Sequence, residues 1–454
     1  MISISILSKL LAIDEKNFES AVEQVVESDG YHIYLKLKRL TYTCPICGSN
    51  INIKEWKVRK SSHSFLYNQK TFIHLKYPRY KCKTCSKTFP EKCASFPFRS
   101  KVSIKLAIDA LEQLTEWTAT FESVSKRLLV SPTTVQNIFD TYVNPKRRTL
   151  PPILCIDEAY EEGQFNEPYM VVLYDFTNKK IVDAIEDRSK WNLSRYFSKI
   201  SREERENVKV ISIDMWQPYA DVASVYFPRA MIVIDSFHVM QNIYRALEKV
   251  RCRIMNKYKD EKSIEYYLLK NFHDLLTMGL DYNEEKEYNH RLKRYVNRYQ
   301  IRRLMLDIDV DLTIATNLFV IYKRFNSGKD LNNLSERFDQ IVMYPDFIKV
   351  PELVPIIQML QTWKDLIIQS FTYIGERRIS NGPLEGLNSQ LKKLMRVANG
   401  WANFERFRAR LMLCYNKEIT INPVKNKISK IKRGKRGKYN KNRQNSDGFD
   451  PTKV

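Results

Sequence analysis

The segment from residue 208 to 242, VKVISIDMWQPYADVASVYFPRAMIVIDSFHVMQN, contains two short apolar runs that each end at an aspartate and lead into a helical pattern. The runs VKVISI and AMIVI have the length and the β-branched content of strands, and they reach Asp214 and Asp235. Strands that alternate with helices predict a mixed sheet with helices on its faces. Acids at the carboxyl ends of neighbouring strands in such a sheet converge on one crevice.

The run PPILCIDEAY, residues 151–160, is a third apolar strand with an aspartate, Asp157, and the segments EPYMVVLYDF and KKIVDAIEDR after it alternate as a hairpin does. Close carboxylates repel and raise each other's pKa unless divalent metal ions neutralise them. Two such ions, one at the attacking oxygen and one at the leaving oxygen, are typical of enzymes that catalyse in-line displacement at phosphorus. The pattern therefore predicts a metal-dependent site, although each aspartate, Asp235 above all, has the alternative role of capping the helix that follows it.

The segment SNGPLEGLNSQLKKLMRVANGW, residues 380–401, places one acid at the start of a helix whose other charges are basic. Leucines recur at helical spacing on one face, and polar residues line the other. The polar face consists of Glu385, Asn388, Ser389, Lys392 and Arg396. A metal ligand, Glu385, followed by the phosphate-binding cations Lys392 and Arg396 fits this face, while the alternative is that Glu385 only caps its own helix.

The charge of the chain favours a polyanionic partner. Its 454 residues, 43% of them hydrophobic, are enough for more than one cored domain, and Lys plus Arg exceed Asp plus Glu by 23. Basic residues in such excess bind phosphate groups, so nucleic acid is the expected partner. Because no apolar stretch approaches the ~20 residues of a membrane span, we expect an intracellular protein without a membrane partner.

Five of the eight cysteines lie between residues 44 and 93, and four of them form two C-x-x-C knuckles. These four are Cys44 and Cys47 in TCPICGSN, and Cys82 and Cys85 in YKCKTCSKTF. Four thiolates in this pattern bind one structural zinc ion tetrahedrally, and the strand-like segments YLKLKRLTYT and KTFIHLKYPRYK indicate a zinc ribbon. The alternative is a small β domain with four reduced thiols.

The sequence FESVSKRLLVSPTTVQNIFDTYV, residues 121–143, predicts a helix, a tight turn and a second helix. Ser131 has the position of an N-cap, and Pro132 that of the first helical residue. The second helix of such a unit can enter the major groove of DNA with the polar residues of its first turns. Those residues are Thr133, Thr134, Gln136 and Asn137. A helical hairpin without a DNA role is the alternative.

The order of these segments resembles a known family. Two knuckles, a helix-turn-helix, IDEAY, SIDMWQPY, VIDSFHVMQN, SNGPLEGLNSQLK and GWANFERFRARL, over residues from about 40 to 415, are similar to the bacterial insertion-sequence transposases of the ISL3 group, which carry a DDE-type catalytic core. The resemblance implies an α/β RNase H-like core, a mixed sheet with flanking helices, in which Asp157, Asp214 and Glu385 are the catalytic acids. These acids would bind two magnesium or manganese ions.

Three further residues belong to the predicted site, two of them through the same resemblance. Asp235 and His238 match the D-x-x-H string that follows the second catalytic acid in several such families, which implies a supporting role. Glu158, beside Asp157, is an alternative metal ligand that the sequence leaves open.

The resemblance also implies the domain organisation. Residues 1–98 form an N-terminal zinc-binding domain, and residues 99–150 form the helix-turn-helix DNA-binding domain. Residues 151–424 form the catalytic domain, with an α-helical insertion at about residues 240–378. The tail, residues 425–454, has eleven Lys and Arg against two Asp, and this composition predicts disorder.

The function implied is that of a transposase that binds the terminal inverted repeats of an insertion sequence and catalyses metal-dependent cleavage and strand transfer. Its partners would be double-stranded DNA, both terminal repeats and target, and further copies of the chain, since paired ends require at least a homodimer. The expected location is the cytoplasm of a bacterium, at the nucleoid. Two alternatives are a DNA-binding transcriptional regulator on an inactive scaffold and a metal-dependent nuclease without strand transfer.

Overall fold

A computed structural model describes residues 4–19, 23–98, 100–160, 169–259, 263–278, 285–328, 330–397 and 403–419. The chain divides into two compact units, Met1–Pro145 with Glu418–Val454 and Lys146–Lys417. The predicted disorder of residues 425–454 concerns a segment outside the described residues. Among the described helices, none has the length and apolar character required to cross a membrane.

The described part of the first unit contains a β-sheet and four α-helices. Its elements are α1 (Ile4–Leu11), β1 (Glu23–Glu27), β2 (Gly30–Lys36), β3 (Ile51–Leu66), β4 (Gln69–Cys82), β5 (Thr88–Pro90), α2 (Ile104–Gln113), α3 (Phe121–Arg127) and α4 (Pro132–Tyr142). The strand order is β1-β2-β4-β3, with β5 paired to β4. Ile33, Leu35, Ile73 and Leu75 are buried on one face of the sheet and form its core.

The long hairpin of β3 and β4 occupies most of the chain between the two cysteine knuckles. Its turn consists of Tyr67 and Asn68, whose φ angles of 46° and 58° are those of the two-residue turns that match strand twist. At the other end of the hairpin Ile51 pairs with Cys82, so the end of β4 lies beside the start of β3. The segment KTFIHLKYPRYK is a strand as predicted, whereas the strand in YLKLKRLTYT ends at Lys36.

The predicted helix, turn and helix are α3 and α4. Ser131 caps α4 by accepting a hydrogen bond from the Thr134 backbone N–H at 3.1 Å, and Leu129 makes the turn with a φ of 57°. Val135, Ile138 and Phe139 are buried on the inner face of α4. The helical hairpin expected from the sequence is therefore confirmed as a structure.

The second unit is built on a five-stranded sheet with helices around it. Its first elements are β6 (Ile153–Tyr160), β7 (Tyr169–Asp175), β8 (Lys180–Ile185), α5 (Lys190–Phe197), α6 (Arg202–Glu206), β9 (Val210–Ile213), α7 (Gln217–Tyr226), β10 (Met231–Ile234) and α8 (Ser236–Lys257). The strand order is β10-β9-β6-β7-β8. β6, β7 and β8 form an antiparallel meander, while β9 is parallel to both β6 and β10. This mixed sheet is compatible with an RNase H-like core.

Two of the three predicted aspartates directly follow a strand, and the third lies within a strand. Asp214 and Asp235 come immediately after β9 and β10, as expected. Asp157 lies inside β6, because β6 continues to Tyr160 in its pairing with β7 although its pairing with β9 stops at Cys155. Asp157 is thus at the point where β6 extends beyond its parallel neighbour.

The rest of the second unit is mostly helical. Its elements are α9 (Ile264–Asn271), β11 (Glu287–Asn289), β12 (Arg294–Val296), α10 (Arg298–Leu306), α11 (Val310–Ser327), α12 (Leu334–Val342), α13 (Val354–Thr362), α14 (Lys364–Gln369), β13 (Tyr373–Ile374), β14 (Arg377–Arg378), α15 (Gly382–Val397) and α16 (Phe404–Asn416). Within the predicted α-helical insertion, the segment EYNHRLKRYV, residues 287–296, is not helical and forms the β11–β12 hairpin. Tyr288 faces Tyr295 across its strands, and Lys293 adopts a turn φ of 52°.

Helix α16 covers the outer edge of the sheet. The Asn416 side chain accepts a hydrogen bond from the Ile181 backbone N–H and donates one to the Ile181 carbonyl, each at 3.0 Å. Asn416 therefore binds the backbone N–H and carbonyl of Ile181, the two groups through which a further strand would pair with β8 at this residue.

Candidate active site

Asp157, within β6 just beyond its pairing with β9, lies close to Asp214, which directly follows β9. Asp157 is 3% exposed and Asp214 is 8% exposed. A carboxylate oxygen of each and a ring nitrogen of His238 all lie within 4.8 Å of one another. The structure therefore places two of the three predicted acids, both buried, in one cluster with the predicted supporting histidine, whose side chain is 32% exposed.

The ionised forms of the two buried carboxyl groups are unfavourable in this cluster. Burial raises the pKa of the Asp157 carboxyl above its usual value. Burial also raises the pKa of Asp214, and the neighbouring charges of Asp157 and Asp235 raise it further. A positive ion between the carboxylates would remove this penalty, because an opposite charge at close range favours the ionised form.

His238 links Asp214 to Asp235. Its Nε2 lies 3.1 Å from Asp214 Oδ1 and 3.8 Å from Asp235 Oδ2. Asp235 is fully buried and caps α8, accepting a hydrogen bond from the Phe237 backbone N–H at 3.4 Å. The capping role considered for Asp235 is therefore present in the structure, alongside its contact with the histidine.

Two asparagines, which the sequence did not identify as partners of the acids, hold the carboxylates. Asn388 donates a hydrogen bond from Nδ2 to Asp157 Oδ2 at 2.9 Å. Asn381 donates from Nδ2 to the Ile156 carbonyl at 3.2 Å and to Asp214 Oδ1 at 3.4 Å. The one signal in the sequence was the position of Asn388 on the polar face of its helix, one turn after Glu385.

Among the described residues, no hydrogen-bond donor pairs with three buried oxygens around the cluster. They are Oδ2 of Asp235, Oδ1 of Asn381 and Oδ1 of Asn388. Unpaired acceptors are costly in a protein interior, and carboxylate and amide oxygens are the ligands of hard divalent cations. The donor set therefore fits a magnesium-type ion.

Helix α15 supplies Asn388 and is fixed by its leucines. Leu384, Leu387, Leu391 and Leu394 are buried, and full burial of a leucine contributes roughly 1.5–3 kcal/mol. Lys392 and Arg396 are exposed on the other side, as expected. Glu385 belongs to the first turn of α15, but its side chain lies outside the part of the chain that the structure describes.

The alternative ligand Glu158 is engaged elsewhere. Its Oε2 accepts a hydrogen bond from Arg188 Nη1 at 2.5 Å. Its backbone N–H donates to Asp157 Oδ1 at 2.8 Å, which fixes the orientation of that carboxylate.

The four cysteines of the first unit form a separate candidate metal centre. Cys44 Sγ lies 3.7 Å from Cys85 Sγ, and Cys47 Sγ lies 3.5 Å from Cys82 Sγ, with all four sulfurs within 4.8 Å. Four sulfurs bound tetrahedrally at ~2.3 Å from zinc would be about 3.8 Å apart. Hydrogen bonding, first from the Ser49 backbone, lowers the pKa of Cys47 to about 6, which favours the thiolate that zinc requires.

The predicted base-reading residues begin helix α4. Thr133 and Asn137 are exposed, while Thr134 and Gln136 are half-buried. The Thr134 hydroxyl also forms a hydrogen bond with that of Ser131 at 2.9 Å, which ties it to the helix cap. Two of the four side chains are thus fully open to a partner.

Comparison with known proteins identifies the family. The family model of ISL3-type DDE transposases, described as a transposase, matches residues 154–411, more than half of the chain. The chain belongs to the ISL3 group of insertion-sequence transposases. The matched region runs from β6 to α16 and includes every residue of the acidic cluster.

Two curated proteins are similar to this transposase. A transposase for insertion sequence element IS1001 from Bordetella parapertussis is 24% identical over 288 residues, which cover 60% of this chain and 70% of that protein. An uncharacterized 48.3 kDa protein of insertion element ISM1 from Methanobrevibacter smithii is 22% identical over 347 residues, covering 72% and 82% respectively. Transposases act on DNA, and the family implies the use of a divalent metal.

Proposed function

We propose that this transposase cleaves and joins DNA strands at the ends of its insertion sequence, with Asp157, Asp214 and Glu385 holding two magnesium or manganese ions. The observation that carries the proposal is the convergence of Asp157, in β6, and Asp214, at the end of the parallel strand β9, beside buried oxygens that have no donor among the described residues. Buried carboxylates without a compensating cation would destabilise the fold.

Each residue of the cluster has a defined task. Asn388 orients Asp157, and His238 with Asn381 orients Asp214. Glu385 precedes Asn388 by three residues in α15, and this helical spacing supports a position on the same face as the asparagine that binds Asp157. When bound, the metal ions would neutralise the carboxylates, activate the attacking water or 3′-hydroxyl and stabilise the leaving oxygen.

We further infer that the two parts of the first unit bind the element ends. The zinc ion would be held by the four cysteines as a structural staple, and the start of α4 would contact the terminal inverted repeats through Thr133, Thr134, Gln136 and Asn137. Lys392 and Arg396 would bind the DNA backbone. Because two ends are joined, the active form would be a homodimer or larger, with the domains divided at about residues 98, 150 and 424.

The proposal is tested by changing Glu385→Gln, which keeps a side chain able to cap the helix but removes the charge that a metal requires. The substrate is a labelled duplex that carries the element end, incubated with magnesium. We expect cleavage to fall by at least a hundredfold while DNA binding persists. Glu376→Gln, the same change at an exposed position of the β13–β14 turn, should cleave normally.

A second readout does not depend on activity. Magnesium or manganese should raise the melting temperature of the native chain, because the ions relieve the repulsion in the cluster, and should raise it less in Asp157→Asn. Normal cleavage by Glu385→Gln would remove Glu385 from the ligand set. DNA binding without any cleavage by the native chain would instead favour a DNA-binding regulator.

A further inference from the structure

Arg188 is held beside the acidic cluster in an unusual environment. It lies between β8 and α5, and its guanidinium carbon is 3.5 Å from the ring centre of Tyr169 and 4.7 Å from that of Trp216. Its Nη1 donates to Glu158 Oε2 at 2.5 Å. The side chains of Arg188 and Glu158 are each 25% exposed, so solvent and solutes reach the pair.

This ion pair is close to the acids. Trp216 follows Asp214 by two residues, and Glu158 follows Asp157 directly. The charge of Glu158 contributes to the raised pKa of Asp214. The buried Tyr219 hydroxyl likewise has its pKa raised by burial first and then by Glu158 and Asp214, while Arg188 lowers it. The Glu158 backbone N–H also donates to Asp157 Oδ1 at 2.8 Å, so the residue that pairs with Arg188 is the one that orients the first acid.

The two aromatic rings prepare Arg188 to bind an anion. A guanidinium that lies on ring faces keeps its N–H edges available, and its orientation is fixed before a ligand arrives. A phosphodiester presents oxygens that match the same fork geometry as a carboxylate. Glu158 therefore occupies the place that a phosphate oxygen would take.

We propose that Arg188 binds a phosphate of the DNA strand that enters the acidic cluster, and that Glu158 is its partner only until DNA displaces it. This inference rests on the proposed function, because it assumes that the strand passes the Asp157 and Asp214 carboxylates. The exchange neutralises a DNA charge with a cation already in place. It also frees the Glu158 carboxylate in the DNA-bound state.

The test measures binding of a fluorescein-labelled duplex of the element end at several salt concentrations, in calcium to prevent cleavage. Arg188→Ala should weaken binding several-fold and reduce the slope of log affinity against log salt by about 0.9, the effect expected when the protein neutralises one phosphate fewer. Glu158→Gln should strengthen binding. Arg195→Ala is the matched control, since Arg195 also stacks on a tryptophan, Trp191, at 5.2 Å.

A double variant separates direct phosphate binding from a general change of charge. If Arg188 binds the phosphate, Glu158→Gln should give a smaller gain in the Arg188→Ala background than in the native one. Arg188→Lys, which keeps the charge but loses the planar fork, should bind with intermediate affinity. It also serves as the test variant if Arg188→Ala fails to fold.

Other results would overturn the inference. An unchanged salt slope in both Arg188 variants, with only a lower melting temperature, would mean that the pair merely stabilises the fold. An additive double variant would mean that Glu158 acts by general repulsion of DNA. Neither result affects the proposed function, which fails separately if the native chain binds the element end but does not cleave it.

Discussion

At the scale of single residues, Asp157, Asp214 and His238 were singled out in the sequence, whereas the two asparagines that contact the acids were not identified as their partners. Asp214 ends an apolar strand, and a strand end is visible in the sequence because its apolar run stops there. Asn381 and Asn388 bind residues more than 160 positions away in the chain, and nothing local marks an asparagine as the partner of a distant carboxylate. The Arg188 site was missed for the same reason.

Asn388 should control the affinity of the site for metal. Changing Asn388→Ala removes the donor that holds Asp157 Oδ2, and loss of such a supporting hydrogen bond typically costs about 10–100-fold in metal affinity or activity. We expect the magnesium concentration for half-maximal cleavage to rise within that range. Ser389→Ala, on the adjacent exposed position, is the control. An unchanged magnesium dependence would show that Asp157 keeps its position without the amide.

At the scale of elements, prediction worked where one periodicity dominated. The leucines of α15 recur at helical spacing, and all four of those from Leu384 to Leu394 are buried as expected. EYNHRLKRYV contains too few apolar residues to favour either period, and the cross-strand Tyr288–Tyr295 contact decided in favour of a hairpin. The β3–β4 hairpin, in turn, explains why the spacer between the cysteine knuckles is unusually long, since a metal site needs only the ends of the spacer to meet.

Zinc should hold that hairpin closed at its base. We expect one zinc ion per chain, released by a chelator together with a loss of melting temperature, because structural zinc contributes directly to folding. Cys47→Ser should lose most of the bound zinc. Cys93→Ser should retain it, because Cys93 is buried with Phe96 in the core of the first unit. Equal zinc content in both variants would exclude Cys47 as a ligand.

At the scale of the whole molecule, the charge is unevenly distributed along the chain. Basic residues exceed acidic residues by 23 in the whole chain. Residues 425–454 contain eleven Lys and Arg and two Asp, so they account for nine of these 23 excess charges. The remaining chain therefore carries an excess of 14. The sequence predicts this bias fully, because charge counting needs no fold.

Removing residues 425–454 should weaken nonspecific DNA binding. The salt slope on a scrambled duplex should become less steep, by about 0.9 for each phosphate that the tail neutralises in the full-length chain, while discrimination between the element end and the scrambled duplex should change little. The control is a full-length chain in which the eleven basic residues of the tail are Gln. If truncation weakens binding but the neutral tail does not, length rather than charge is responsible.

The contact of Asn416 with Ile181 restricts how copies of the transposase can associate. A dimer formed by continuing the sheet across β8 would have to break both hydrogen bonds and displace α16 from that edge. An exposed strand edge is a ready template for pairing with another chain, and that pairing leads to aggregation. We therefore expect that two copies do not join their sheets at this edge, and that any dimer uses another surface.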